Sequence, residues 1–427
     1  MNPDLNRPDT FTRRHFFARS VFGLGTMGLA SLVSSQRAAS GAETAARPGG
    51  APARWLRERI GRGTDAVAGA KVWQLTSAAV ISHGIYGEQL YCSADGNRVA
   101  FLRCYSTDYA RGPMELWVAD FTTESVLRLG TAALYLVAAN PERNTVYYIR
   151  RGESDEQALV RVNLQTLEQT VLFTFGKCPP PAYAGLLAIS PDERYCMQLR
   201  RLGERRYGVE RIDLARGEWA VIHEQDDIFN AHLQFSPAGK DLMVQQNRGG
   251  LVDENFNVVR TTGPEGATLY VIDQDGKNVR PLPVGKPHTT PITGHETWIG
   301  KTGRVVLTTI GGKVYTAAPG DPAPTLVAEM PGLNHIAASA DGRFFLVDDF
   351  RSGRLFLGSL ATTRLLPFCD TGASCGAPQY THTHPYITPD NRRVIFNSDR
   401  TGICQVYAAE IPQGFLDKLA AGEDLKK

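Results

Sequence analysis

The fold of this chain is decided by a stretch near its C-terminus, which reads Gln379-Tyr380-Thr381-His382-Thr383-His384-Pro385-Tyr386-Ile387-Thr388-Pro389-Asp390-Asn391-Arg392-Arg393-Val394-Ile395-Phe396. Its centre, Thr388-Pro389-Asp390-Asn391, is typical of a tight turn, and apolar segments stand on both sides of it. The pattern predicts a strand, a turn and a second strand. In the first strand, His382 and His384 are two residues apart, so both imidazoles would point to the same face.

The same unit of apolar strand, turn and apolar strand recurs along the chain. Its seven turns are Ser93-Ala94-Asp95-Gly96, Asn140-Pro141-Glu142-Arg143, Ser190-Pro191-Asp192-Glu193, Ser236-Pro237-Ala238-Gly239, Gly300-Lys301-Thr302-Gly303, Ser339-Ala340-Asp341-Gly342 and Thr388-Pro389-Asp390-Asn391. They follow one another at intervals of 39 to 64 residues, about the length of a four-stranded propeller blade. From residue 71 onward, no long stretch has the 3.6-residue periodicity of a helix. The sequence therefore predicts an all-β fold, a seven-bladed β-propeller of four-stranded blades.

The turns also set the expected domain boundaries. The propeller is predicted over residues 70–412, with blades near residues 84–130, 131–176, 182–226, 228–286, 290–330, 333–370 and 380–412. The segment Lys71-Val72-Trp73-Gln74-Leu75-Thr76 is expected to add the outer strand of the last blade, because closing the ring removes an exposed sheet edge. Residues 413–427 are predicted to form a short, charged, helical tail.

The N-terminal segment carries a twin-arginine export signature, Thr12-Arg13-Arg14-His15-Phe16-Phe17. The mildly apolar run that follows, Val21 to Val33, contains three glycines and is too short to anchor the chain in a membrane. Residues 1–42 are therefore interpreted as a Tat signal peptide and residues 43–69 as a linker. This predicts a periplasmic protein that the Tat machinery exports. The alternative is that the segment forms an N-terminal helix of the domain.

Composition limits the classes of partner. Charged residues make up 21% and hydrophobic residues 42% of the 427 residues, as in a soluble globular protein. The formal net charge is +2, and removing residues 1–39 leaves 41 basic against 42 acidic residues. This balance gives no reason to expect a nucleic acid or an anionic membrane as partner. The seven cysteines form no C-x-x-C motif, and Cys369 and Cys375 bracket a short loop in which they could pair.

Five of the nine histidines occupy one phase of the repeat. His232, His335 and His384 lie four residues before the first residue of their turns, and His382 lies six before. His295 lies five before its turn, which fits the phase if that turn carries one extra residue. This segment is the innermost strand of a blade, so histidines from adjacent blades would converge at one mouth of the central channel. The alternative is that they cap inner strands by hydrogen-bonding to the backbone.

Such an arc of imidazoles is a candidate metal site. His382 and His384, with a carbonyl donor from Gln379 beside them, make one half of a divalent-metal site. Imidazole and amide ligands suit Mn²⁺ or a similar divalent cation better than they suit a metal that prefers thiolates. The structural alternative is a pair of half-buried histidines that hydrogen-bond to the backbone.

Several motifs stand in or near this phase. They are Gly294-His295-Glu296-Thr297-Trp298, Asn334-His335, Gln379-x-x-His382-x-His384-Pro385, Asn397-Ser398-Asp399-Arg400-Thr401-Gly402 and Gln405-Val406-Tyr407. With these motifs the chain resembles the oligogalacturonate lyase family over roughly residues 70–412. The resemblance implies a seven-bladed propeller that holds a manganese-type divalent ion.

The resemblance also implies roles for individual residues. The implied metal ligands are His335, Gln379, His382 and His384. His295 is implied as the catalytic base, and His232 and Arg400 are expected to contact the substrate.

One position departs from the family pattern. The family uses an arginine on a strand of the fourth blade, in an Ala-Arg-x-Trp context. The matching segment here is Ala267-Thr268-Leu269-Tyr270, so Thr268 stands where that arginine is expected. Arg248, from the same predicted blade, is the candidate to replace it as a catalytic residue. This departure leaves the exact uronate substrate open.

The chemistry of uronate cleavage fits these residue types. A 4-linked uronate is cleaved by removing the C5 proton, α to the C6 carboxylate, and expelling the C4 oxygen. A divalent cation on the carboxylate stabilises the enolate-like charge, and a neutral imidazole can take the proton. The sequence therefore predicts a Mn²⁺-dependent lyase acting on small acidic oligosaccharides, as in pectin degradation. The alternatives are a non-catalytic, TolB-like binding propeller and a metal-dependent enzyme of the same fold with changed chemistry, such as a lactonase.

Overall fold

The computed structural model describes residues 54–107, 112–152, 156–176, 187–254 and 257–423. The predicted Tat signal, residues 1–42, lies outside these ranges, and so does Cys178. The described chain is all-β, because antiparallel strands make up nearly all of its regular structure and its one α-helix is short. None of the described helices is long and apolar enough to span a membrane.

The strands have the following bounds. The first fourteen are β1 Leu56–Arg57, β2 Ile60–Thr64, β3 Lys71–Gln74, β4 Ile81–His83, β5 Arg98–Cys104, β6 Met114–Asp120, β7 Ser125–Asn140, β8 Thr145–Arg151, β9 Gln157–Asn163, β10 Gln169–Thr174, β11 Ala188–Ile189, β12 Tyr195–Arg201, β13 Arg206–Asp213 and β14 Glu218–Asp226. The others are β15 Gln234–Phe235, β16 Asp241–Arg248, β17 Leu251–Val252, β18 Val258–Arg260, β19 Gly266–Asp273, β20 Arg280–Pro281, β21 Ile292–Trp298, β22 Val305–Thr309, β23 Lys313–Ala317, β24 Thr325–Glu329, β25 Leu333–Ala338, β26 Phe344–Asp349, β27 Arg354–Ser359, β28 Leu365–Asp370, β29 Tyr386–Ile387, β30 Arg393–Ser398 and β31 Gln405–Glu410. Two 3-10 turns, Pro141–Arg143 and Gln379–Thr381, and the helix α1, Phe415–Ala421, complete the described elements.

Most strands form four-stranded sheets in which neighbours in sequence also pair in space. Four sheets follow this plan, with the strand orders β11-β12-β13-β14, β15-β16-β19-β20, β21-β22-β23-β24 and β25-β26-β27-β28. A two-stranded hairpin, β17–β18, is inserted between β16 and β19. Such antiparallel meanders are what the repeated strand–turn–strand pattern predicted.

Strand β7 joins the first two predicted blades into one sheet. Its residues 125–132 pair with β6, and its residues 132–140 pair with β8. The resulting sheet has the order β10-β9-β8-β7-β6-β5-β4, with β1 paired to β7. The predicted blade boundary between residues 130 and 131 falls inside this continuous strand, next to Ala132, where the partner of β7 changes from β6 to β8. A register shift between Ala132 and Val137 lets one strand serve both halves, since a bulge bends a strand and increases its twist.

Both ends of the described chain meet in the sheet β2-β3-β31-β30-β29. Strand β3 pairs with β31, with Trp73 opposite Ala408, as the segment beginning at Lys71 was expected to do. Strand β2 adds a fifth strand within residues 43–69, which the sequence analysis interpreted as a linker. The sequence hides this strand because it contains two glycines and all five of its residues are exposed, so no apolar alternation marks it.

Each of the seven predicted turns is closed by a hydrogen bond from an N–H to the carbonyl three residues earlier. The bonded pairs, with the carbonyl first, are Ser93–Gly96, Pro141–Asn144, Ser190–Glu193, Ser236–Gly239, Ile299–Thr302, Ser339–Gly342 and Thr388–Asn391. In four turns the hydroxyl of the first residue also donates to the aspartate two residues on, which holds the turn locally. The second turn begins at Pro141, one residue later than predicted, and the fifth begins at Ile299, one residue earlier.

The core lies between consecutive sheets rather than within one layer. Apolar side chains of β16 and β19 pack against those of β21 and β22, for example Met243 and Val271 against Trp298 and Leu307. Equivalent clusters join the other neighbouring sheets. One cluster joins the last sheet to the first, because Tyr386 and the strands beside it pack against β5 and β6.

The predicted helical tail contains α1 and packs on the last two sheets. Phe415 and Leu419 are buried, and the Phe415 ring meets Phe368 at a centroid distance of 5.8 Å. The described cysteines all have free thiols. Cys369 and Cys375, which the sequence allowed to pair, are therefore not joined by a disulfide in this structure.

Candidate active site

Four histidines occupy identical positions relative to the observed turns. His232, His295, His335 and His384 each lie four residues before the residue whose carbonyl closes the turn, because the fifth turn begins at Ile299. The sequence analysis placed His295 five residues before its turn and explained this spacing by one extra residue. The structure explains it by the start of the turn, which lies one residue earlier, at Ile299. These histidines come from four consecutive strand–turn–strand units and enter the same region of the molecule.

The local structure around the C-terminal pair differs from the prediction. His382 and His384 do not lie on a strand, since the 3-10 turn Gln379–Thr381 precedes them and β29 begins only at Tyr386. Pro385 lacks an N–H and cannot pair in a ladder at this point. His384 has a φ of 35°, an uncommon conformation for a residue other than glycine that turns its side chain inward. The two imidazoles converge through this irregular backbone, with ring centroids 5.6 Å apart.

Three imidazoles form a compact group, the histidine triad: His335, His382 and His384. One nitrogen from each lies within 4.8 Å of the others. The ring centroid of His335 is 5.3 Å from that of His382 and 4.7 Å from that of His384. The sequence prediction that these three residues meet is therefore correct in geometry.

Neighbouring groups orient two of the three rings. His335 Nδ1 lies 2.7 Å from Asp348 Oδ2, and the same aspartate accepts the His335 main-chain N–H at 2.8 Å. Thr383 donates its hydroxyl to Asp348 as well. His382 Nε2 donates to the Gly376 carbonyl at 3.0 Å. A carboxylate or carbonyl on the outer nitrogen is the arrangement that fixes the tautomer of metal-binding histidines.

The inner nitrogens of the triad have no partner. His335 Nε2, His382 Nδ1 and both nitrogens of His384 are buried without a hydrogen bond among the described residues. A buried imidazole nitrogen without a partner costs free energy unless something binds it. Three lone pairs that face one another in this way fit a divalent cation with nitrogen ligands.

Burial keeps these rings in the form that binds metal. Desolvation, with the neighbouring His335, lowers the pKa of His382 to about 4. The same two causes lower the pKa of His384 well below its ordinary value. Both imidazoles are therefore neutral at neutral pH and can donate a lone pair.

Gln379, the fourth predicted ligand, opens the 3-10 turn next to the triad, and the residue is exposed. Its role as a ligand stays a prediction.

His295, the predicted base, lies against the triad. It sits on β21, and its ring centroid is 4.3 Å from that of His335. Burial, and then the nearby imidazoles of His335, His232 and His382, lower the pKa of His295 well below its ordinary value. Its Nδ1 lies 2.9 Å from the hydroxyl of Tyr86. When Nδ1–H donates to that hydroxyl, Nε2 carries the lone pair that a general base needs.

Tyr86 is a site residue that the sequence analysis missed. Its ring contacts His384, His295 and His232 at centroid distances of 4.5, 5.7 and 5.3 Å. The residue before it, Ile85, has a φ of 34°, which is strained for a β-branched side chain. A Cβ at Gly87 would lie 2.5 Å from the Pro385 carbonyl, so this segment fits against the triad only with glycine there. The signal in the sequence was the Gly-Ile-Tyr-Gly run at residues 84–87.

His232 belongs to a second buried group, the carboxylate cluster: Glu88, His232 and Glu296. Its Nδ1 lies 2.7 Å from Glu88 Oε1 and 3.8 Å from Glu296 Oε1. Its Nε2 meets the side-chain amide of Asn230 at 3.0 Å. The expected contact between His232 and substrate stays a prediction, because both ring nitrogens face protein groups here.

The predicted arginines are engaged by main-chain carbonyls. Arg248 donates to the carbonyls of Gly266, Lys286 and Glu265 at 2.9, 3.1 and 2.7 Å. Arg400 donates to the Thr371 and Asp370 carbonyls. The catalytic role of Arg248 and the substrate contact of Arg400 stay predictions.

Thr268 and Arg248 are close neighbours, as they must be if Arg248 replaces the arginine that was expected at position 268. A Cβ built at Gly285 would lie 3.2 Å from Thr268 Cβ and 3.3 Å from Arg248 Nη2. The Arg248 guanidinium therefore reaches the surroundings of the position where the family carries its arginine.

The fold and the site together define an all-β protein with a buried group of histidines suited to a divalent cation. No family model matches the chain. Among curated proteins, it is 24% identical over 394 residues to the oligogalacturonate lyase of Dickeya dadantii, which covers 82% of this chain and 95% of that protein. The oligogalacturonide lyase of Pectobacterium atrosepticum is 22% identical over 397 residues, with the same coverage of both chains.

Solved structures give the same result for the fold. A structure of an oligogalacturonate lyase in complex with manganese matches with a TM-score of 0.66 and 21% identity, covering 86% of this chain and all of that one. The oligogalacturonate lyase of Vibrio parahaemolyticus matches with a TM-score of 0.61 and 20% identity, with the same coverage. The resemblance to the oligogalacturonate lyase family, and with it to the polysaccharide lyase enzymes, is confirmed.

Proposed function

We propose that this protein is a metal-dependent lyase that cleaves oligogalacturonate, or a related uronate oligosaccharide, by β-elimination. The observation that carries the proposal is the histidine triad, whose buried inner nitrogens have no hydrogen-bond partner in the described part of the chain and lie beside His295. The curated relatives are oligogalacturonate lyases, and one similar solved structure is a manganese complex. The implied cofactor is Mn²⁺ or another divalent cation.

The proposed fold is a seven-bladed β-propeller. Four sheets correspond to single blades, the eight-stranded sheet to two blades that share β7, and the sheet with both chain ends to the last. The seven closed turns and the apolar clusters between successive sheets, including the one between the last sheet and the first, support this reading. In a ring of blades the four histidines of one phase meet at the channel, where the site lies.

The residues of this chain divide the reaction between them. His335, His382 and His384 would hold the cation, which withdraws negative charge from the C6 carboxylate of the uronate when bound. His295 Nε2 takes the proton from C5, and the C4 oxygen leaves as the double bond between C4 and C5 forms. The Tyr86 hydroxyl holds the His295 ring at Nδ1 and so keeps the lone pair on Nε2. Asp348 orients His335 in the same manner.

The alternative, a non-catalytic binding propeller, is not favoured. It predicts no bound metal and no effect of substituting the histidines, and it agrees with the structural alternative in which the histidines cap inner strands by hydrogen-bonding to the backbone. Of the triad, only His382 bonds to a main-chain carbonyl through its side chain, and its second nitrogen stays unpartnered within the described structure.

The twin-arginine signature supports a periplasmic location for the proposed enzyme, with export by the Tat machinery in the folded state. Its substrate would be a small acidic oligosaccharide of that compartment. Detection of the mature chain, lacking residues 1–42, in a periplasmic extract tests this location, and retention in the cytoplasm would contradict it.

An absorbance assay tests the activity. Mixing the protein, Mn²⁺ and an oligogalacturonate should produce the ultraviolet absorbance of a 4,5-unsaturated uronate. His295→Ala should abolish turnover while leaving the metal content intact, because His295 is not a ligand. His382→Ala should lose turnover and the ion held by the histidine triad. If the metal-loaded protein produces no such absorbance across a panel of oligouronides, the proposed reaction is wrong.

A further inference from the structure

The carboxylate cluster holds two buried acidic side chains whose negative charge no lysine or arginine among the described residues neutralises. Glu88, His232 and Glu296 are 5%, 9% and 0% exposed. Among the described residues, the only ion pairs of the two carboxylates are with His232. Two buried carboxylates without a lysine or arginine are costly, and proteins meet that cost by protonation, by pairing or by a bound cation.

Protonating the Glu296 carboxylate would not provide hydrogen-bond partners for its oxygens. Both of its carboxylate oxygens are buried without a hydrogen-bond partner among the described residues. A protonated carboxyl group would need an acceptor for its O–H, and neither oxygen has one. Glu88, in contrast, is held by Gln234 Nε2 at 3.1 Å and by His232. Glu296 is therefore the member of the cluster whose oxygens, among the described residues, still need a donor or a cation.

The spacing of the cluster fits a metal ion. One ligand atom from each of the three residues lies within 4.8 Å of the others. Two ligands of a first-row divalent cation, each about 2.1 Å from it, can be at most about 4.2 Å apart. The distances of 2.7 Å and 3.8 Å from His232 Nδ1 to Glu88 Oε1 and Glu296 Oε1 are within that limit.

We infer that Glu88, His232 and Glu296 form a second divalent-cation site, separate from the histidine triad. Two carboxylates and one neutral imidazole balance a charge of +2, and this mixture of oxygen and nitrogen ligands suits Mn²⁺ or Zn²⁺ better than Ca²⁺ or Mg²⁺. The Tyr86 ring contacts both His384 and His232, so it separates the two sites.

Ligation by His232 Nδ1 requires a specific tautomer. The Asn230 amide faces His232 Nε2 with its nitrogen, so that Nδ1 carries the hydrogen and donates to Glu88. Rotating this amide by 180° presents its oxygen to Nε2–H and leaves the lone pair on Nδ1. The ring proton then lies on Nε2, and the cation takes the place between Nδ1 and the carboxylates without a net loss of a proton from His232.

A cavity lies beside this site. It has a volume of about 160 Å³, and Glu88, Gln234 and Thr297 are among the residues that line it. Because Glu88 belongs to the segment before β5, His232 to the segment before β15 and Glu296 to β21, the cation would join three sheets that are far apart in sequence. Its expected role is to stabilise the fold, and the inference does not depend on the proposed lyase activity.

Metal stoichiometry tests this inference. The purified full chain, loaded with Mn²⁺ and freed of excess, should contain two Mn per chain by elemental analysis. Glu296→Gln and, separately, Glu88→Gln should each contain one, and His382→Ala should also contain one. The control Glu142→Gln, which changes an exposed carboxylate paired with Lys301 near the same cavity, should keep two.

Anomalous scattering from a Mn²⁺-soaked crystal of the unmodified protein gives a second readout that needs no variant. A peak between Glu88, His232 and Glu296 is expected. One Mn per chain that His382→Ala removes and Glu296→Gln leaves, with no peak at the carboxylate cluster, would overturn the second site and leave the triad intact. Two bound ions without turnover of any oligouronide would instead refute the lyase proposal alone.

Discussion

The substitution Asp348→Asn tests whether the histidine triad is a preorganised metal site. Asp348 is fully buried and accepts three hydrogen bonds, from His335 Nδ1, from the His335 main-chain N–H and from Thr383. Asparagine has nearly the same shape, but one of its two terminal atoms is an NH₂ group. Placed at Oδ2, that group donates to His335 Nδ1, which forces the proton onto Nε2, the nitrogen that should bind the metal.

The expected loss follows from this tautomer change. Removing the carboxylate behind a metal-binding histidine weakens metal binding roughly 10- to 100-fold, which corresponds to about 1.4 to 2.7 kcal/mol. Titration calorimetry with Mn²⁺ should show this loss at the triad. The second cation site should be disabled by Glu296→Gln in both proteins, so that one binding event is measured.

The control is Asp349→Asn. Asp349 is the next residue, but its carboxylate bonds to the Arg351 N–H and the Ser352 hydroxyl in a surface turn. It should leave the affinity for Mn²⁺ unchanged. Equal affinities of Asp348→Asn and the control would refute the reasoning, because the carboxylate would then have no influence on the metal-binding nitrogen.

Three further outcomes follow from the site. Gly87→Ala should weaken Mn²⁺ binding in calorimetry, because its Cβ would lie 2.5 Å from the Pro385 carbonyl and must displace the triad backbone; unchanged affinity would contradict the close fit. Tyr86→Phe should lower kcat about 10- to 100-fold with two Mn still bound, because His295 loses the partner that fixes its tautomer; an unaltered kcat would show that the hydroxyl has no such role. Burial raises the pKa of Glu296 from 4.5 to about 8, so the metal-free folded state keeps a proton that the unfolded state has lost. Stability in EDTA should therefore fall between about pH 7 and 8, where most unfolded histidines are neutral, by up to about 1.4 kcal/mol per pH unit for this group. Urea unfolding should show a smaller slope for Glu296→Gln, and equal slopes would mean that the carboxyl is not protonated.

The periodic part of the molecule could be predicted from the sequence. A turn that recurs with a serine or threonine at its start is a local signal, because its hydroxyl and its closing hydrogen bond lie within six residues. Once the turns are located, counting back four residues finds the histidines of the site. This is why His335 and His384 were identified without coordinates.

The rest could not be predicted, because its signals are not local. Glu88 and Glu296 lie close together in the interior but far apart in sequence, and no residue next to either one indicates that the two meet. Tyr86 lies in an irregular segment whose shape depends on contact with Pro385. Strand β7 was predicted as two separate strands. Its bend comes from a register shift between Ala132 and Val137, and no turn residue marks that point in the sequence.

The pairing of β3 with β31 sets the order in which the protein can mature. The N-terminal strand must wait for residues 405–410, so the sheet that contains both cannot form until those residues have left the ribosome. His382 and His384 lie just ahead of those residues, and they are the last part of the metal site to be synthesised. A chain that stops before His382 would therefore lack both the partner strand of β3 and two of the three triad histidines.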